Sequence, residues 1–107
     1  MGELYKVVFS PQAVRDIESI VRHIALQASP QIAEAFGVKL VGKALSLEAL
    51  PLRGRVVPEV GMPFREIIFR SYRIVFRIVG ERVEIVRFWH AARGIPQIDS
   101  DDFGNPG

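Results

Sequence analysis

The sequence predicts an α+β domain of two layers: an N-terminal strand, a helical hairpin, then a three-stranded antiparallel meander. Three observations predict it. Apolar and β-branched residues alternate with charged ones over Tyr72 to Val79 and over Arg82 to His90, with Gly80-Glu81 between them as a two-residue hairpin signal. A third run, Phe64 to Phe69, precedes them across Arg70-Ser71. Upstream, the apolar period changes from two to that of a helix, and two Ser-Pro pairs punctuate it.

Leu4 to Phe9 reads as a short strand able to join the later sheet. Ser10-Pro11 then starts a helix, because Ser supplies a capping oxygen and Pro fits the first turn, where its missing N–H costs nothing. Val14, Ile17, Val21, Ile24 and Ala28 form the apolar stripe of this helix, and Arg15, Asp16, Glu18 and Arg22 fall outside it. Ser29-Pro30 repeats the start signal, and the second helix is expected to reach about Leu50, where Pro51 ends it. Gly37 and Gly42 inside it fit close helix packing. Leu52 to Pro63, with two glycines and two prolines, reads as a loop carrying Arg53, Arg55 and Glu59.

Strand period two gives the middle strand one face of Tyr72, Ile74, Phe76 and Ile78, expected to meet the helices, and another of Arg73, Val75 and Arg77, expected to be open. The last strand is mixed on both faces, with Val83, Ile85, Arg87 and Trp89 set against Glu84, Val86, Phe88 and His90. A single domain is expected over residues 1–95, followed by a flexible acidic tail over 96–107.

Charge is distributed unevenly. Arg53 to Arg93 contains nine Arg, no Lys and four Glu, a surplus of five, while the first 52 residues are balanced and the last 14 carry three Asp and no base. Arginine used to the exclusion of lysine favours planar contacts to carboxylate or phosphate over simple solubility. Hydrophobic content of 49% is high for 107 residues and suggests apolar surface left for a partner to cover. The absence of Cys removes disulfides and thiolate metal sites; no metal or other cofactor is expected. With no apolar run of membrane-spanning length and no signal-like N-terminus, no membrane contact and a cytoplasmic location are expected.

Tyr5 to Ala13 (YKVVFSPQA), Gly54 to Glu59 (GRVVPE), Arg65-Glu66-Ile67, Tyr72 to Phe76 (YRIVF) and His90 to Arg93 (HAAR) together resemble the ParE/RelE superfamily of bacterial type II toxins, also called plasmid stabilisation proteins. The pieces cover residues 4 to 93, and GRVVPE and HAAR look closer to the ParE-like branch. The resemblance implies a growth-inhibiting toxin held inactive by a cognate antitoxin, which contacts DNA on behalf of the pair. ParE-like relatives are implied to poison DNA gyrase without chemistry of their own. RelE-like relatives are implied to cleave mRNA on the ribosome, and a degenerate toxin that only binds antitoxin is a third reading.

A ribonuclease needs a base for the 2′-hydroxyl, cations for the developing phosphorane charge and an acid for the leaving oxygen. By resemblance, Arg73 and His90 would fill catalytic positions, with Glu59 as base and Arg93 in support. Against this, Ala91 follows His90 where a Tyr would be wanted, and residues 44–107 hold no Lys. The competing reading makes Arg73 a sheet arginine paired with Glu66 or Glu84. Arg65, Arg73, Arg77, Arg87, Trp89, His90 and Arg93 are the candidate target or antitoxin contacts.

Overall fold

In a computed structural model, residues 4–98 are described. The order is β1 (Lys6–Phe9), α1 (Pro11–Gln27), α2 (Pro30–Leu45), β2 (Arg55–Val56), β3 (Phe64–Phe69), β4 (Tyr72–Val79) and β5 (Arg82–His90). One five-stranded sheet has the order β1-β5-β4-β3-β2. The meander and the helical hairpin are as the sequence predicts, and β1 joins the sheet parallel to β5, with Lys6 opposite Arg82 and Phe9 opposite Ile85. The sheet is therefore mixed.

Both helices start where the Ser-Pro pairs place them. Ser10 Oγ accepts from Ala13 N at 2.9 Å and Ser29 Oγ from Ile32 N at 3.1 Å, each satisfying an otherwise unpaired first-turn donor. The second helix is shorter than expected. It ends at Leu45, and the chain tightens into short 3-10 turns over Ser46–Glu48 and Pro51–Arg53. Inside the expected loop, Arg55–Val56 pairs with Arg65 and Glu66 of β3, a strand too short for any periodic signal.

The main core lies between helices and sheet, with Ala13, Leu40, Leu47, Ile74, Phe76 and Phe88 buried in it. Gly80 makes the β4–β5 turn at φ +59, a conformation that favours glycine.

The mixed character of β5 has a structural cause. Val75 pairs with Arg87 but Phe76 pairs with Ile85, so Val86 is an extra residue and β5 carries a bulge. Val83 and Ile85 before it and Phe88 after it consequently share the helix face, although their numbering breaks period two. Strict alternation could not describe this strand.

The opposite face differs from the open surface expected. Val57, Val75 and Val86 form a second apolar cluster there, with Phe64 and Ile98 packed on it. The segment after β5 and the β2–β3 loop thus cover part of that face. Pro96 is buried and Gln97 O accepts from Arg87 Nη1 at 2.7 Å, so residues 96–98 of the segment expected as a flexible tail lie against the sheet. The rest of that expectation, residues 99–107, falls outside the described residues.

Candidate functional site

The second face of the sheet holds most of the candidate arginines, and they are engaged. Period two sends Arg73 and Arg77 to this face, where β3 and β5 supply Glu66 and Glu84 as neighbours. Arg73 Nε donates to Glu66 at 2.6 Å, while Nη2 and Nη1 donate to the two oxygens of Glu59 at 2.6 and 3.0 Å. Nη1 also reaches Gly94 O at 3.3 Å. Glu66 is buried and takes a second ion pair from Arg55 at 2.7 Å. The result is a chain of alternating charge, Arg55, Glu66, Arg73 and Glu59, that runs from the sheet edge to the β2–β3 loop. Of the two partners the sequence offers for Arg73, Glu66 is the one it meets across the strands.

Glu84 serves Arg77 and Arg82 instead, at 2.7 and 2.5 Å. Burial pushes its pKa up, but the bonds from Arg77 and Arg82 outweigh that and the net shift is downward. Arg65 donates to Gly54 O at 2.8 Å and so fastens the approach to β2.

At the far end of the sheet, Arg87 donates to both oxygens of Asp16 at 2.9 Å, and Phe88 N donates to Asp16 Oδ2 at 3.0 Å. Asp16 is itself buried. Sequence periodicity places it outside the α1 stripe; besides Gln12, which donates to it at 2.9 Å, its partners lie 71 and 72 residues away, beyond any local pattern. Ser10 is a second residue with more than one task, since its hydroxyl donates to Val86 O at 3.0 Å while capping α1.

Trp89 is buried, its Nε1 donating to Gly94 O at 3.1 Å, with Arg93 at 3.8 Å and Arg87 at 4.8 Å from its ring centroid. Arg93 is exposed and covers the indole. His90 lies on the helix side, edge-on to Tyr72 at 5.0 Å between centroids, and its Nδ1 accepts from Ala92 N at 3.1 Å. That bond places the proton of the neutral ring on Nε2. The four residues of a ribonuclease reading are therefore split. Glu59 and Arg73 bond each other, Arg93 stacks beside them on Trp89, and His90 projects to the opposite face.

Electrostatics follow the geometry. Hydrogen bonds from Arg73 bring the Glu59 carboxyl down from 4.5 to about 2, and Arg73 is shifted up, first by Glu59 and then by Glu66. A carboxylate with a lowered folded pKa stabilises the fold above its unfolded pKa, and that contribution is lost as pH falls toward the folded value. Urea midpoints measured from pH 5 down to pH 2 should fall across this window in the wild type, and fall less in Glu59→Gln. Equal slopes in the two proteins would show that Glu59 does not couple to folding.

On the other side of the molecule, α1 and α2 leave an apolar groove lined by Ile17, Val21, Ala25, Val38, Val41 and Leu45. Ile32, Val38 and Leu45 are exposed on and beside it, Val38 at 68%. Among the described residues, no cluster of His, Cys, Asp or Glu could hold a metal ion, and no helix is long and apolar enough to cross a membrane.

Comparison with known proteins places this geometry. Residues 7–95 match the family model for the ParE toxin of the type II toxin-antitoxin system parDE. The chain is 30% identical over 90 residues to Toxin RelE1 of Caulobacter vibrioides, covering 80% of this chain and 92% of that protein. The chromosomal ParDE toxin-antitoxin system from P. aeruginosa provides a structure with a TM-score of 0.74 at 18% identity, covering 83% of this chain and 98% of the other. The RelBE2 toxin-antitoxin complex from Mycobacterium tuberculosis gives 0.58 at 26% identity, covering 81% and 98%. With strand order, helical hairpin and family match in agreement, the chain belongs to the ParE toxin family of type II toxin-antitoxin systems.

Proposed function

We propose that this ParE-family toxin acts in the cytoplasm by binding DNA gyrase and blocking it through contact, without chemistry of its own, and that a cognate antitoxin neutralises it. The observation that carries the reading is the split of the ribonuclease residues. Arg73 and Glu59 meet on one face of the sheet, while His90 faces the helices with Nδ1 occupied, so the imidazole does not converge with the other two. A phosphorane needs free cations and a base converging on one point.

The antitoxin has a suitable seat in the α1–α2 groove, whose exposed Val38 and Leu45 suit the apolar face of a partner helix. Family membership and the RelBE2 toxin-antitoxin complex, at 26% identity, support this partner.

A supercoiling assay tests the target. Toxin freed of antitoxin should inhibit gyrase at near-stoichiometric amounts and trap cleaved DNA. Unimpaired supercoiling, with folded toxin that rebinds its antitoxin, would reject gyrase as the target and turn attention to mRNA on ribosomes.

A further inference from the structure

Glu59 sits in a place built for an anion, and it arrives there on a thin strip of chain. Residues 58–63 form a flap between Val57, which is buried, and Phe64. Pro58, Glu59, Val60, Met62 and Pro63 are all exposed, with Val60 at 39% and Met62 at 66%. The flap's backbone bonds close on themselves: Val60 N and Gly61 N donate to Val57 O, Phe64 N to Gly61 O, and Val57 N to Phe64 O. Gly61 stands at φ +83 with open space where a Cβ would be, so nothing crowds the tip. The two-pronged bond from Arg73 to Glu59 ties the flap to β4 of the sheet.

Beneath the flap, Arg55, Arg73 and the buried Glu66 carry a net charge of one positive unit, which Glu59 neutralises. We propose that Glu59 is a displaceable internal occupant of an oxyanion seat made by the Arg73 guanidinium, with Arg55 balancing the buried Glu66 behind it, and that an acidic side chain of a protein partner takes its place when the flap lifts. The seat matches a carboxylate in particular. Two parallel N–H groups of one guanidinium fit a planar pair of oxygens, and a single negative charge balances the site. Gly94 O, 3.3 Å from Arg73 Nη1, sets a further acceptor beside the seat, unfavourable for the extra oxygens of a phosphate. Val60 and Met62 offer apolar contact to residues flanking the incoming acid, and exposed Arg93 covers the ring of Trp89, whose Nε1 shares Gly94 O with Arg73.

This role rests on the contact-based function above, yet peptide binding by the isolated chain is read without gyrase, so either can fail alone. Trp89 is the single tryptophan, and its Nε1 shares Gly94 O with Arg73, so its fluorescence reports the seat. The full chain is titrated at low salt with a hexaglutamate peptide. Glu59→Gln, which keeps the shape and removes the charge, should bind about tenfold tighter than the wild type. Adding Arg73→Lys should abolish the gain, with a thermal melt confirming that the double variant is folded. Glu18→Gln, an exposed change of equal charge on α1, should leave the affinity at the wild-type value. Equal affinity in wild type and Glu59→Gln overturns the seat, as does the same gain from Glu18→Gln or a gain that survives Arg73→Lys. A gain seen equally with inorganic phosphate overturns the assignment to an acidic side chain.

Discussion

Alanine at position 73 should cost about 3 kcal/mol of folding stability and lower the thermal midpoint by roughly 10 °C or more. The loss comes from what the arginine leaves behind. Glu66 is 1% exposed and has two cationic partners; without Arg73 it keeps only Arg55, whose own side chain is 62% exposed. Breaking a buried pair is expensive because the abandoned charge keeps its desolvation penalty, whereas replacing the pair by apolar groups of similar volume is close to neutral. Arg73→Met combined with Glu66→Leu should accordingly recover most of the loss. A double-mutant cycle in urea decides it, and additive effects would mean that the two side chains are not coupled. Lost activity in Arg73→Ala is thus evidence about stability before it is evidence about catalysis.

Asp16→Ala should be the more damaging change, at about 3–5 kcal/mol. Beyond residue 85, β5 keeps β4 on one side but has no strand on the side of β1, because β1 ends at Phe9. The start of α1 takes over that edge. Ser10 N donates to Ile85 O, Ser10 Oγ to Val86 O, and Asp16 accepts from Phe88 N, so side chains extend the ladder past the bulge. Removing the Asp16 carboxylate leaves a buried backbone N–H unpaired and strips Arg87, 11% exposed, of its counter-charge. Asp16→Asn should recover part of the loss by keeping an acceptor for Phe88 N. Chemical denaturation of both variants checks the ranking, and equal losses would assign the whole effect to charge.

Periodicity and punctuation made much of the fold legible. The bounds of β3, β4 and β5 follow from alternation and the Gly80-Glu81 turn, and both helix starts follow from Ser-Pro. The misreadings share a physical origin. A bulge shifts the phase of β5 by one residue, so counting by twos scrambles its faces. Arg55–Val56 is too short to show a period, and Asp16 reads as a surface residue because the partners that bury it lie on the last strand. Arginine enrichment correctly marked one sheet face, but composition does not tell an arginine held by a buried glutamate from one waiting for a partner. Glu66 and Glu84, both nearly inaccessible, decide that question.

The parallel register of β1 on β5 has a bearing on how the chain acquires its shape. Lys6 finds its place opposite Arg82, and Ser10 bonds Val86 across 76 positions. Closing so long a loop must precede the reward of the contacts it makes, which raises the entropic barrier and slows folding. The helical hairpin is complete by residue 45, but the strand that seats it ends at His90. During synthesis the helical hairpin therefore waits, its apolar stripe unsatisfied, until β5 has been added. Native shape arrives as a unit, so little of the working surface exists before β5 is in place.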